Sequence, residues 1–433
     1  MDNTDSSTNT FLAGLNEAQR QAVLLTEGPL LVLAGAGTGK TKALTSRITY
    51  LLTQKLAMPG QILAVTFTNK AAREMEHRIH QLIGDYTSGL WLGTFHSIAV
   101  RILRRHADLL GYSHQFTIID TDDQERLMRQ VLQELFPNLD DKKYSGKSIL
   151  QVIQRFKDKG LLPEDLVNED RLLGKGHWDP IDVYTRYQER LKQLNAMDFG
   201  DLLLLNLKLF KEFPQILRDY QHQFKYILVD EYQDTNVTQY LWLRLFAQHH
   251  KNICCVGDDD QSIYGWRGAE VGNILKFEHE FPGAKIIRLE DNYRSTPHIL
   301  AAASGLIKNN NARLGKTLRT TLAEGEKVHV IKVWDDQQEA YLVGNTMLDL
   351  FKEGFKPYQC AVLVRAGSQT RSFEDQFTRL GIAYRVIGGF KFYERLEVRD
   401  VIAYLRLLIQ PSDDLAFERI INTPKRGVGD STP

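Results

Sequence analysis

The chain is predicted to be an α/β protein with a doubly wound sheet, and three observations predict it. Short β-branched runs alternate with helical patterns, most of these runs are apolar on both faces, and a glycine-rich turn joins the first run to a helix-like segment. Strands covered by helices on both sides of a parallel sheet read as continuous apolar runs. The runs are Leu30–Leu33, Ile62–Thr66, Leu90–Gly93, Tyr226–Val229, Ile253–Val256 and Lys285–Leu289. Between them, Ala72, Met75, Ile79 and Leu82 fall on one face of a helix.

The turn is Ala34-Gly35-Ala36-Gly37-Thr38-Gly39-Lys40-Thr41. A glycine-rich turn between strand and helix presents backbone N–H groups to phosphate at a helix N-terminus. Lys40 is placed to reach β/γ-phosphates and the Thr41 hydroxyl to ligate Mg²⁺. Ala34 departs from the common pattern, which begins with glycine.

Bulk properties narrow the classes. The 433 residues suffice for two or more domains, and 43% hydrophobic with 25% charged residues is ordinary for a globular protein. Lys plus Arg and Asp plus Glu both total 54, so any nucleic-acid surface must be local. Cys254, Cys255 and Cys360 lie in apolar strand-like runs without metal-ligand spacing, the pattern of buried thiols in a reducing cytoplasm. No apolar stretch reaches the roughly 18 residues of a membrane span, and no signal-like segment opens the chain. Met1–Thr10 is polar and expected to be disordered.

The α/β alternation breaks between about Tyr112 and Ala196, where the sequence is helical and polar with Thr121 as a candidate N-cap. This stretch reads as an insertion. A second alternation follows Glu290, with strands expected at Val328–Val333, Ala361–Val364 and Tyr384–Ile387; from about Glu394 the pattern is helical again.

Two further runs carry chemistry. Tyr226–Val229 ends in Asp230-Glu231, at the strand edge where open α/β sheets bind ligands. Asp230 suits Mg²⁺, while Glu231 could polarise an attacking water. After Val256 comes Gly257-Asp258-Asp259-Asp260-Gln261-Ser262-Ile263-Tyr264-Gly265-Trp266-Arg267-Gly268. Gln261 could sense a γ-phosphate or orient water. Tyr264, Trp266 and Arg267 offer either core packing or a platform for unstacked bases.

Taken in order, these motifs resemble the UvrD/Rep-type superfamily 1 DNA helicases. Leu15-Asn16-Glu17-Ala18-Gln19 is similar to the family's adenine-reading segment. Thr66–Met75, Gly93-Thr94-Phe95-His96-Ser97 and Met197–Leu203 resemble its DNA-facing motifs, and Leu289–Ser295 resembles the one opening its second motor domain. The resemblance runs from about Leu15 to Asp430. It implies two RecA-like doubly wound P-loop domains, with a helical insertion in the first and the start of a helical accessory domain after the second. Residues 1–112 and 198–289 would form the first motor domain, 113–197 the insertion, 290–393 part of the second motor domain and 394–433 the start of the accessory domain.

The same resemblance implies ATP-dependent 3′–5′ translocation and unwinding, with ATP and Mg²⁺ as cofactors and single-stranded DNA and its duplex junctions as partners. Nucleotide would be held by Gln19, Ala36, Gly37, Thr38, Gly39, Lys40, Thr41, Tyr293 and Arg294. Tyr293 would stack on adenine, and Arg294 would act as an arginine finger beside Lys40, Glu231 and Gln261. Metal would fall to Thr41 and Asp230. Phe67, Phe199, Tyr264 and Trp266 would stack bases; Thr94, His96 and Arg365 would touch the phosphodiester backbone. His96 as a core histidine stays open, and Arg101, Arg104, Arg105, Lys142, Lys143 and Lys147 read as solvated faces. Gly367 stands where many relatives have asparagine. Later family motifs do not occur, so a fragment with weak hydrolysis and no unwinding is expected. An ATP-gated DNA clamp and a small-molecule phosphotransferase remain the competing readings.

Overall fold

The computed structural model describes residues 11–137, 145–166, 178–311, 313–388, 395–411 and 413–428. Met1–Thr10, Lys142 and Lys143 lie outside the described residues. The chain divides into two compact units, Met1–Lys327 and Val328–Pro433.

The first unit is built on a six-stranded parallel sheet. In chain order the strands are β1 (Leu30–Ala34), β2 (Ile62–Thr66), β3 (Trp91–Thr94), then β6 (Tyr226–Val229), β7 (Ile253–Gly257) and β8 (Lys285–Leu289), and their spatial order is β3-β2-β6-β7-β1-β8. Between them lie β4 (Thr117–Ile118) and β5 (Ala196–Met197), which pair with each other in parallel. The side-chain period of two explains the apolar runs. Leu31, Leu33, Leu63, Val65, Ile227, Val229, Ile253 and Cys255 join one core, and Leu30, Val32, Ile62, Ala64, Tyr226, Leu228, Cys254 and Val256 join the other. Each central strand thus feeds two cores, as the both-face reading of most runs expects, whereas the edge strand β8 leaves Lys285 and Arg288 exposed.

Several local expectations are corrected. On the helix Asn69–Ile83, Ala72, Met75 and Ile79 are buried, but Leu82 is exposed and Ile83 packs against the core instead. Asp120, not Thr121, caps the helix Thr121–Leu135, accepting from the N–H groups of Asp122 and Asp123. A carboxylate one residue earlier reaches two orphan donors, leaving Thr121 as the first helical residue. Arg101 and Arg105 do not simply face solvent. Their guanidinium carbons lie 3.7 and 4.9 Å from the Trp91 ring centre, and that of Arg104 lies 3.9 Å from Phe116.

In Val328–Pro433 the helices Asp336–Lys352 and Thr370–Leu380 pack around Ala340, Phe373, Phe377 and Ile382. Leu396–Ile409 packs with Asp414–Ile420. The strands expected at Val328–Val333, Ala361–Val364 and Tyr384–Ile387 carry no ladder among the described residues, and Leu363 and Ile387 are 94% and 85% exposed. An apolar β pattern becomes a strand only when a neighbour supplies hydrogen bonds and a face to cover it. Cys360 is half-exposed rather than buried.

Candidate nucleotide and nucleic-acid site

All six strands of the large sheet run parallel, so their carboxyl ends share one rim. Every expected site residue after residue 30 in the first unit, Thr94 and Phe199 aside, follows one of those ends. Gly35–Thr41 follows β1, Phe67 β2, His96 β3, Asp230 and Glu231 β6, Gln261 to Trp266 β7, and Tyr293 and Arg294 β8, while Thr94 is the last residue of β3.

The glycine-rich loop after β1 needs its glycines where the backbone is left-handed. Gly37 has φ 73° and Gly39 φ 84°. A Cβ on Gly37 would stand 2.6 Å from Arg294 Cβ and 2.7 Å from Asn292 Nδ2. The segment after β8 therefore lies directly on the loop. Tyr293 N donates to Gly37 O at 2.9 Å, and Asn292 Nδ2 donates to Ala36 O at 2.6 Å. Asn292 Oδ1 accepts from the N–H groups of Arg294 and Ser295, which fixes the turn that carries Arg294. Thr38 is buried, its Oγ1 donating to Gly35 O at 2.8 Å.

Gln19 is also buried, and its amide has structural partners. Nε2 donates to Thr38 O at 2.8 Å, and Oε1 accepts from Asn16 N at 3.1 Å in a capping box. Asn16 Nδ2 in turn donates to the Tyr293 hydroxyl at 2.8 Å. Gln19 thus braces the loop.

Lys40 Nζ pairs with Glu231 Oε2 at 3.0 Å. Glu231 adopts φ 52°, a left-handed backbone conformation. Gln233 Nε2 also donates to Glu231 Oε2, at 2.9 Å, and Gln233 Oε1 accepts from Asp258 N at 2.9 Å. Asp258 accepts the Gln261 amide. Burial, reinforced by Glu231 and opposed by Lys40, raises the carboxyls of Asp230 and Asp234 to about 6. The buried Asp234 Oδ1 has no hydrogen-bond partner among the described residues. Carboxylate and hydroxyl oxygens at Asp230 and Thr41 are the hard donors that suit Mg²⁺.

The aromatic residues form two groups. Phe67 and Tyr264 have ring centres 5.2 Å apart, and Tyr264 and Trp266 6.5 Å. Phe199 meets His96 edge-on at 6.0 Å. Trp266 and Phe199 are 68% and 54% exposed, the reverse of core packing. His96 is half-buried, and burial lowers its pKa. Thr94 already caps the helix Phe95–His106 by accepting from Ser97 N. Arg365 lies in the second unit, exposed, with its N–H donating to Gln369 Oε1.

Beneath these groups sits a buried ion cluster. Lys157 Nζ pairs with Asp198 and Asp201 at 2.7 Å each, and Asp198 and Asp201 form the capping box that starts the helix bearing Phe199. Next to Lys157, Asp158 Oδ1 accepts from Gln154 and Asn236 at 3.0 Å, while its other oxygen lies 3.0 Å from where a Gly268 Cβ would be. Burial pushes the Asp158 carboxyl up to about 6, with Gln154 and Asn236 opposing. Its folded value lies above the ordinary one, so the folded chain holds this proton more tightly between roughly pH 4 and 6, and stability is lost as pH rises through that window. Asp158→Asn cannot ionise. It is expected to exceed the native chain by about 1–3 kcal/mol at pH 8 and to match it near pH 4. Urea melts at both pH values check this, and an equal gap at the two would contradict burial of charge as the cause.

Residues 15–282 match the UvrD/REP helicase N-terminal domain, and residues 287–433 match the UvrD-like helicase C-terminal domain. The chain belongs to the UvrD/REP helicase family. It is 54% identical over 422 residues to a probable DNA helicase II homolog of Rickettsia felis, covering 97% of this chain and 64% of that protein. To the ATP-dependent DNA helicase PcrA of Staphylococcus aureus it is 45% identical over 425 residues, covering 98% of this chain and 58% of the relative. The chain thus spans about 60% of the length of these UvrD/REP helicases. Sequence reasoning passed over Gln233, Asn292 and Lys157 as site residues. Asn292 lies inside Leu289–Ser295 and Gln233 two residues after Glu231, but only tertiary contacts reveal what they hold.

Proposed function

We propose that this polypeptide is the ATP- and DNA-binding part of a 3′–5′ DNA helicase, and that it couples ATP hydrolysis to movement on single strands. One observation carries the reading. A glycine-rich phosphate loop, paired carboxylates, an arginine turn and exposed aromatic rings all follow the carboxyl ends of one parallel sheet.

In the proposed mechanism, backbone N–H groups of Ala36–Gly39 receive the phosphates, and Tyr293 stacks on the base. Mg²⁺ held by Thr41 and Asp230 would neutralise charge on the β- and γ-phosphates. The triphosphate competes with Glu231 for Lys40. Once Lys40 turns to the phosphates, the Glu231 carboxylate is released to polarise water. The water oxygen bonds to the γ-phosphorus, the bond to the β-γ bridging oxygen breaks, and ADP and phosphate leave. Arg294 and Gln261 stabilise charge on the transferring group. Phe67, Tyr264, Trp266 and Phe199 stack bases, with Thr94, His96 and Arg365 at the phosphodiester backbone.

For the 433-residue chain we expect nucleotide and single-strand binding, weak hydrolysis and no unwinding. Phosphate release with and without single-stranded DNA tests the reading. Expected are a rate that DNA raises, and a Trp266→Ala variant whose DNA affinity falls by about 5–150-fold, the equivalent of about 1–3 kcal/mol. Intact DNA affinity in that variant would favour a phosphotransferase. DNA binding without stimulation of hydrolysis would favour a gated clamp. Robust unwinding by this chain would overturn the expected deficiency.

A further inference from the structure

Three consecutive carboxylates, Asp258, Asp259 and Asp260, converge just after β7, with ligand oxygens within 4.8 Å of one another. An ammonium sits among them. Lys316 Nζ lies 2.6 Å from Asp258 Oδ1, 2.7 Å from Asp259 Oδ1 and 2.7 Å from Asp260 Oδ2, and its side chain is only 3% exposed. Arg313 adds a two-pronged pair to Asp260 at 2.8 and 2.7 Å, and Leu314 N donates to Asp259 Oδ2 at 2.7 Å. Burial alone would lower the Lys316 pKa, but the carboxylates outweigh it and hold the ammonium charged. The cluster is therefore a lysine-neutralised knot.

The knot is joined to the nucleotide loop along two routes. Asp258 accepts the Gln261 amide and donates its N–H to Gln233, which holds Glu231, which pairs with Lys40. The chain beyond Lys316 also returns to the loop. Thr317 N donates to Glu290 Oε1 at 2.8 Å, and Asn292 N donates to Arg319 O at 2.7 Å. Between them, Leu318 packs so tightly on Gly35 that a Cβ there would lie 2.4 Å from Leu318 Cδ2.

We propose that Lys316 is a positioning residue for recognition of the γ-phosphate: by neutralising Asp258, Asp259 and Asp260 it fixes the carboxylate that holds the Gln261 amide. This rests on the nucleotide reading given above. Without the ammonium, buried like charges would spread or take up protons, and Asp258 could no longer hold Gln261 in one place.

The test compares the affinity of the full chain for a non-hydrolysable ATP analogue and for ADP, both with Mg²⁺, so it does not depend on turnover. The native chain is expected to prefer the triphosphate. Lys316→Met is expected to cut that preference about tenfold while ADP affinity stays within threefold, and Lys316→Arg to restore most of it. Gln261→Ala should cost as much as Lys316→Met, and the double variant no more than either, because the two act through one contact. Should Lys316→Met fail to fold, Lys316→Gln, which keeps a hydrogen-bond donor but not the charge, should give the same loss. An unchanged preference in these Lys316 variants, or losses that simply add in the double variant, overturns the proposal while leaving the nucleotide reading intact. Failure of the native chain to bind either nucleotide overturns both.

Discussion

Replacing Lys40 by alanine is expected to weaken ATP binding at least about a hundredfold and to abolish turnover. Charge-assisted hydrogen bonds contribute about 1.5–3 kcal/mol each, and a hundredfold is about 2.7 kcal/mol. The loss of a cation has a second effect. Lys40 is paired with Glu231 and opposes the upward pKa shifts of Asp230 and Asp234. Without it both carboxyls should rise further above their ordinary range. Groups raised in this sense favour the folded state at low pH and cost stability as pH increases. Lys40→Ala should therefore melt closest to the native chain near pH 5 and fall behind it above pH 6. Titration with a fluorescent ATP analogue and melts across pH check both parts. ATP affinity within fivefold of native would show that Lys40 is not the phosphate ligand.

Glu231→Gln should separate binding from chemistry. The amide can still accept from Gln233, and glutamine is nearly isosteric at this left-handed position, so the fold and the phosphate loop are expected to persist. What disappears is the carboxylate proposed to polarise water. Loss of a positioned general base lowers a rate by about 10²–10⁴. ATP affinity should stay within a few-fold of native, or rise, since Lys40 no longer has a competing anion. Single-turnover phosphate release with saturating single-stranded DNA measures the rate. A drop of less than tenfold would assign the water to another group, with Asp234, carrying a buried unpaired oxygen, the first to examine.

Much of this site can be read without coordinates, and the reason lies in the sheet. Each of the four central strands, β1, β2, β6 and β7, feeds two cores, so its sequence is apolar throughout and stands out from its surroundings. Polar residues that follow such a run stand at the carboxyl rim, which is why Asp230, Glu231 and Gln261 are visible as candidates. Other features leave no comparable trace. The two-residue pair β4–β5 is too short to show a period. Val328–Val333 and its neighbours have the pattern of strands but no ladder among the described residues. Lys157 and Lys316 look like surface lysines until folding brings two or three distant carboxylates onto each. Gln19 shows the opposite case. Its motif points to a nucleobase, yet its nearest partners are Asn16 and the loop carbonyl of Thr38.

The alternation of β7 has a practical consequence for labelling. Cys254 and Cys255 point into opposite cores, and burial raises both thiols, so neither offers a thiolate to an electrophile. Cys360 is the one cysteine with access to solvent. A maleimide dye added to the unaltered polypeptide should attach there, giving a spectroscopic reporter on the second unit without cysteine engineering.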